Sequence, residues 1–310
     1  MIDLIIPFYS NGPGLIKTLD SINTNVFHVT IVDDGSSYYL PPNINAAQVF
    51  RYSQNKGPGF ARQFGLDRTY KPYVMFMDVG DVFISSTLQV QLEYIAFNLE
   101  PDMISNLYYH YDKLTKHTDN RLHGKIYKRS FLQKYGISFP LETSYLDEDI
   151  GFNRICNYII KDKDLLKLEY DDPIIKQIRD EESLTQKNNQ AALYRDQTRA
   201  LSLATIHTVD TLIKNNINPQ EEINQIAMAL YYWFIRTAAE RIEFLPQAWT
   251  GARIFYQKYK KEIQPNQLIS GNAYLRKCLS YRNQLHFPIN VLKFAHEILI
   301  EENLPSYYLT

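Results

Sequence analysis

Four short apolar runs, each closing on a polar cluster, constrain the fold of this chain more than any other feature. Leu4–Ile6 leads into PFYSN, Val29–Val32 into DDGSS, Val49–Tyr52 into NKGPG, and Tyr73–Met77 into DVGD. Between and after these runs, apolar residues fall at helical spacing: Leu15, Ile16, Leu19 and Ile22, then Ala61, Phe64, Gly65 and Leu66, then Leu88, Leu92, Ile95 and Leu99. Strand–helix alternation of this kind predicts an α/β fold with a mostly parallel sheet flanked by helices. Ligands of open α/β sheets sit beyond the carboxyl ends of the strands, so the four polar clusters are predicted to gather at one rim.

From about residue 185 the pattern changes. Segments 190–215, 219–243 and 251–262 read as helices, with Glu221 and Glu222 favouring a helix start after Pro219. Asn216–Pro219 and Phe287–Pro288 read as turns. The expected organisation is an α/β domain over 1–184 and a helical region over 185–310, with acceptor binding and oligomerisation both open as roles for the latter.

A chain of 310 residues is long enough to bury a large core. With 45% hydrophobic residues, 22% charged and a net charge of −1, it offers no electrostatic case for general nucleic-acid binding. Two cysteines, Cys156 and Cys278, exclude a disulfide framework and a cysteine-based zinc site. The opening MIDLIIPFY reads as a strand, without the positive n-region of a signal peptide. The longest apolar run, Ile226–Ile235, is too short to span a bilayer. The expectation is a soluble, cytoplasmic protein without a transmembrane segment.

The ordered set IIPFYSNGPGLIKTLDSI, IVDDGSS, NKGPGFARQFGLD, FMDVGD, HGKIYKRSFL and YLDEDIGFN resembles the family 2 glycosyltransferases, nucleotide-sugar enzymes of the GT-A fold. The resemblance covers roughly residues 1–155. It implies a donor pocket in which Asp33 and Asp34 serve the nucleoside, one accepting from the base ring and the other bracing the loop. Pro7 and Tyr9 would line the same pocket. Asn55 and Gly57 would bring backbone close to the donor, while Arg62 and Lys125 would offer positive charge to the diphosphate. Taken without the resemblance, DDGSS is also a common Asp-Gly turn, and NKGPG a plain helix start.

The same resemblance places a metal loop at Asp78–Asp81, with Asp78 and Asp81 as ligands of Mg2+ or Mn2+. The family carries Asp-X-Asp here, and this chain has Gly80 at the second Asp. Three arrangements are open. Asp81 swings in on the freedom of Gly80; the metal is held by Asp78, phosphate and water alone; or Arg62 and Lys125 replace the metal. A metal with an altered ligand set is the expectation. Asp149, at the end of the Glu148–Asp149 pair, is the implied catalytic base. Three successive carboxylates, Asp147 to Asp149, repel one another and tend to raise a pKa. His123 is assigned a weak role toward diphosphate or acceptor.

The implied reaction is inverting transfer from a nucleotide-sugar, a UDP-sugar by expectation, to the hydroxyl of a glycan or polysaccharide. Inversion follows from one visible base and no second carboxylate motif to act as nucleophile. Two other readings stand beside it. One is a phage-type transferase acting on a hydroxylated DNA base, for which Arg236, Arg241, Arg253, Lys258, Lys260 and Lys261 would have to form a basic face. The other is a non-catalytic sugar-nucleotide-binding protein. Oligomeric state is left open.

Overall fold

The computed structural model describes residues 1–37, 40, 44, 48–115, 120–143, 146–178, 189–259 and 261–263. The chain divides into two compact units, Met1–Lys187 and Asn188–Thr310. The boundary expected at 184/185 lies outside the described residues, as do the Phe287–Pro288 turn, Cys278 and Lys260.

The first unit runs β1 (Ile2–Phe8), α1 (Gly12–Asp20), β2 (Phe27–Asp34), β3 (Gln48–Tyr52), α2 (Pro58–Leu66), β4 (Tyr73–Phe76), β5 (Val82–Phe83), α3 (Ser86–Leu99), β6 (Met103–His110), β7 (Lys113–Leu114), β8 (Lys125–Lys128), α4 (Arg129–Lys134), a 3-10 turn (Leu141–Thr143), α5 (Glu148–Asp162) and β9 (Lys167–Gln177). All nine strands form one sheet in the order β3-β2-β1-β4-β8-β6-β9-β5, with β7 paired to β6. The first four strands in that order are parallel, as the alternation predicts. Beyond β4 the sheet is mixed: β8 is antiparallel to β4 and β6, β9 is parallel to β6, and β5 is antiparallel to β9.

Period-two alternation sends each strand's side chains to two apolar layers. Leu4, Ile6, Ile31 and Met75 face the layer closed by Leu15, Leu19, Leu92 and Ile95 of α1 and α3. On the opposite face Ile5 and Val32 lie so close to Gly65 of α2 that a Cβ there would meet Ile5 Cγ2 at 2.7 Å. The same face holds a stack of Phe139 on Phe152, with centroids 4.2 Å apart and Phe76 edge-on to both. Each of these buried rings contributes about 2 kcal/mol of burial free energy.

This pairing brings one end of every strand to a single rim. β1, β2 and β4 end there, β6 and β9 end there, and β8 and β5 begin there because they run the other way.

The second unit contains α6 (Asn189–Lys214), α7 (Gln220–Glu240), a 3-10 turn (Ile242–Phe244) and α8 (Leu245–Tyr259). α8 begins earlier than the spacing suggests, since Pro246 falls in its first turn, where no helical N–H is required of it. α6 and α8 meet at small residues. Thr198 Oγ1 donates to the Ala248 carbonyl at 2.8 Å, Ser202 Oγ to that of Gly251 at 2.9 Å, and a Cβ on Gly251 would strike Arg199 N at 2.5 Å. Among the described residues no helix is long and apolar enough to cross a membrane.

Candidate active site

At the carboxyl ends of β1 and β2, Phe8 stands beside Asp33 in the ladder. The two aspartates there have different duties. Asp34 accepts from the backbone N–H groups of Lys56 (2.6 Å) and Gly57 (2.8 Å), which fastens the loop after β3 to the end of β2. Gly35 makes the close approach possible. It has φ +73° and lies so near the 54–55 backbone that a Cβ would be 2.8 Å from Asn55 N. Asp33 Oδ1 accepts from Ser36 N at 2.9 Å. Its buried Oδ2 makes no hydrogen bond among the described residues, its neighbour being Arg51 Nη1 at 3.4 Å. Pro7 is half-buried at the end of β1, and Tyr9 beyond it is exposed.

Arg62, one turn into α2, is buried and joins two other segments. Its Nη2 donates to Asp78 Oδ1 at 2.6 Å and its Nη1 to Glu148 Oε1 at 2.8 Å. The guanidinium thus bridges the loop after β4 to the first turn of α5, with Asp149 adding to the negative field around it. Burial opposes its charge, but Asp78 and Glu148 together hold it firmly protonated. Glu148 is lifted to about 7 by burial and then by Asp149, against the pull of Arg62. Asp149 is partly exposed on the same turn. The Asp78 loop and the Glu148–Asp149 turn are thereby brought together, and Asp34 is fastened to residues 56–57 just ahead of the helix that carries Arg62. Lys125 is buried in β8, and its ammonium donates to the Arg121 carbonyl.

The loop between β4 and β5 turns on Gly80, at φ +97°, a conformation side-chain-bearing residues rarely adopt. Thr18 of α1 accepts from Gly80 N at 2.8 Å, and Asp81 N donates to the Asp78 carbonyl at 3.2 Å. The tight turn carries Asp81 inward. Its Oδ2 lies 3.1 Å from His123 Nε2, which is 3.5 Å from Asp78 Oδ2. Asp81 stands turned toward Asp78, the placement that the first of the three arrangements requires, and His123 lies beside the pair.

The ligand atoms of Asp78, Asp81 and His123 lie within 4.8 Å of one another. Burial pulls the imidazole toward neutrality, yet Asp78 and Asp81 push it up to about 10. Arg62 and His123 hold Asp78 well below the usual carboxylate range despite desolvation, while burial raises Asp81. Asp81 Oδ2 is buried without a hydrogen bond of good geometry. An orphaned carboxylate oxygen beside a second carboxylate and an imidazole fits a divalent cation. The mixed oxygen–nitrogen set suits Mn2+ better than Mg2+, which prefers oxygen alone. Sequence reasoning did not give His123 this place, because it reaches Asp78 only through the antiparallel pairing of Met75 with Ile126.

Residues 3–162 match the family model of glycosyl transferase family 2. A protein of Rickettsia bellii named as an uncharacterized glycosyltransferase is 26% identical over 105 residues, covering 31% of this chain and 15% of its own length. One of Haemophilus influenzae with the same designation is 27% identical over 109 residues, covering 32% of this chain and 43% of that protein. The chain therefore spans less than half the length of each of these relatives. Among solved structures, S. aureus TarS 1-349 in complex with UDP-GlcNAc has a TM-score of 0.62 at 16% identity, covering 90% of this chain and 88% of that one. The mannosyltransferase PcManGT of Pyrobaculum calidifontis, in complex with GDP-Man and Mn2+, has a TM-score of 0.50 at 14% identity, covering 97% and 88%. At these identities the structures show the shared fold, and the extent of the family match shows more: the chain belongs to glycosyl transferase family 2.

Proposed function

We propose that this protein transfers a sugar from a UDP-sugar to the hydroxyl of a glycan, inverting the anomeric carbon. One observation carries the reading: Arg62 ties the Asp78 loop to the Glu148–Asp149 turn, at the same rim where Asp33 and Asp34 close β2. The TarS structure with UDP-GlcNAc supports the choice of donor, and that of PcManGT supports a divalent cation.

In this reading Asp33 Oδ2 accepts the ring N–H of the base, Asp34 keeps the Lys56–Gly57 backbone in place, and Pro7, Tyr9 and Asn55 flank the nucleoside. Asp78, Asp81 and His123 would hold a divalent cation. When bound, that cation supplies positive charge to the diphosphate as the bond to the sugar breaks. Asp149 takes the proton of the acceptor hydroxyl, whose oxygen forms the new bond to the anomeric carbon while the nucleoside diphosphate departs from the opposite side. Arg62 spaces Asp78 from Glu148 and keeps two carboxylates tolerable in a desolvated cleft. The donor-binding and catalytic parts all belong to the 1–184 segment.

Glycan is favoured over DNA because three of the six basic residues that a DNA face would need are paired with acids. Arg236, Arg241 and Lys258 face Glu240, Glu243 and Asp210 at 3.2, 2.6 and 2.9 Å. The test is mass spectrometry of products from a panel of UDP-sugars offered with glycan, protein and hydroxymethylated-DNA acceptors. Asp149→Asn is expected to lower turnover by at least about a hundredfold while UDP-sugar affinity stays within about twofold. Wild-type turnover in that variant removes Asp149 from the base role. Donor binding without turnover under every acceptor, with or without EDTA, favours the non-catalytic reading.

A further inference from the structure

We infer that Arg51 reads the base of the donor, its guanidinium donating to the ring carbonyl beside the N–H that Asp33 accepts. The inference rests on the nucleotide-sugar reading above and adds a residue outside the ordered set of motifs.

The backbone places Arg51 there first. β2 and β3 pair in parallel with Asp33 opposite Arg51, and side chains opposite each other in a ladder share one face of the sheet. Asp33 stands in turn beside Phe8 of β1, so the pair lies at the rim where β1 leads into Tyr9.

Ser36 then fixes the two side chains relative to each other. Its backbone N–H donates to Asp33 Oδ1 at 2.9 Å, and its carbonyl accepts from Arg51 Nη2 at 2.5 Å. Ser36 is itself buried, and its hydroxyl accepts from the Ser10 N–H at 2.9 Å. One atom of each charged group is thus tied down, while Asp33 Oδ2 and Arg51 Nη1 are left facing each other at 3.4 Å, too far for a good hydrogen bond. The Asp33 side chain is 1% exposed and that of Arg51 33%, so a base edge that reaches Oδ2 comes in against Nη1.

An acceptor and a donor about 3 Å apart suit a lactam edge, which sets a ring N–H and a carbonyl oxygen side by side. Uracil has that edge at N3–H, with a carbonyl on either side. Cytosine turns a lone pair at N3 toward the carboxylate and its amino group toward the guanidinium, so like faces like at both atoms. Nη1 carries two N–H groups and can serve a carbonyl while it stays beside Asp33. A charged donor left facing a donor costs more than a neutral one, so Arg51 acts on the choice of base and not on the strength of binding alone.

The test is calorimetric titration of the whole 310-residue chain with UDP, CDP, 2-thio-UDP and 4-thio-UDP, with Mn2+ present throughout. Sulfur is a poor acceptor, so each thio analogue deletes one carbonyl contact and leaves the ring N–H in place. The wild type is expected to bind UDP at least about tenfold tighter than CDP, and one of the two thio analogues about tenfold more weakly than UDP. Arg51→Ala is expected to weaken UDP about tenfold, to leave CDP within about twofold, and to bind that thio analogue as it binds UDP. Equal binding of UDP and CDP by the wild type, or unaltered UDP binding in Arg51→Ala, overturns the inference and leaves the transferase reading standing. So does an equal loss for all four nucleotides in Arg51→Ala, which makes Arg51 a support for Asp33 alone. The thio analogues need no variant: equal binding of UDP and both analogues by the wild type also overturns it. Absence of UDP binding by the wild type overturns both the inference and the proposed donor.

Discussion

Glu148 is pulled in two directions by its neighbours, and the balance is measurable. Burial and Asp149 lift its carboxyl from an ordinary 4.5 to about 7, while Arg62 at 2.8 Å opposes the shift. The native state then holds a proton that the unfolded chain releases between about pH 4.5 and 7, so this group's contribution to stability is full below that window and falls as pH rises through it. Urea unfolding at pH 5 and pH 8 is expected to show a larger loss in wild type than in Glu148→Gln, by roughly 2 kcal/mol, since each pKa unit is worth about 1.4 kcal/mol. Equal losses in the two proteins would mean that Arg62 keeps Glu148 ionised throughout. Legibility at this scale follows sequence distance. Asp33, Asp34, Asp78, Asp81 and Asp149 sit in local words that a turn or a helix start already marks. His123 joins the cluster only through strand register, and nothing beside it in the sequence announces it.

At the scale of elements, the relation of α2 to α5 decides where Glu148 can be. Gly59 lies in the first turn of α2, and a Cβ there would come within 2.9 Å of Glu148 Cγ and 3.0 Å of its Cβ. These atoms are near the backbone of α5 and cannot move without the helix. Gly59→Ala is therefore expected to push the two helices apart, destabilise the protein by about 1–3 kcal/mol in urea unfolding, and weaken the Arg62 bridge. Wild-type stability would show that α5 yields at no cost. The strands that sequence made visible are β1, β2, β3 and β4, where apolar runs end in turn-forming residues. β6, β8 and β9 were not visible, for physical reasons. β6 carries the buried polar residues Ser105 and Asn106 in its middle. β9 holds Asp171, Asp172 and Pro173, which break any alternation, and Pro is tolerated there because that stretch of the ladder is irregular. The mixed half of the sheet was hidden for that reason, and with it the histidine that stands beside Asp78 and Asp81.

At the scale of the molecule, the candidate site draws on segments spread through the first unit's sequence, from Pro7 to Asp149, so donor binding must stabilise that unit as a whole. The strands it closes, β1, β2 and β4, are buried almost completely, and their amides exchange with solvent only through large openings. A ligand that binds the folded unit alone slows those openings by the factor 1 + [L]/Kd. At free UDP about a hundred times Kd, with Mn2+ present, the gain is about 2.7 kcal/mol and the exchange of these strand amides slows about a hundredfold. Asp33→Ala removes the carboxylate proposed to read the base and is expected to abolish most of that protection at the same UDP concentration. It leaves Asp34 to hold the Lys56–Gly57 loop, so the fold should survive the change. Protection in Asp33→Ala equal to wild type would place the nucleoside elsewhere. Protection of the strand amides by Mn2+ alone, without UDP, would separate the stabilisation due to the cation cluster from that due to the donor.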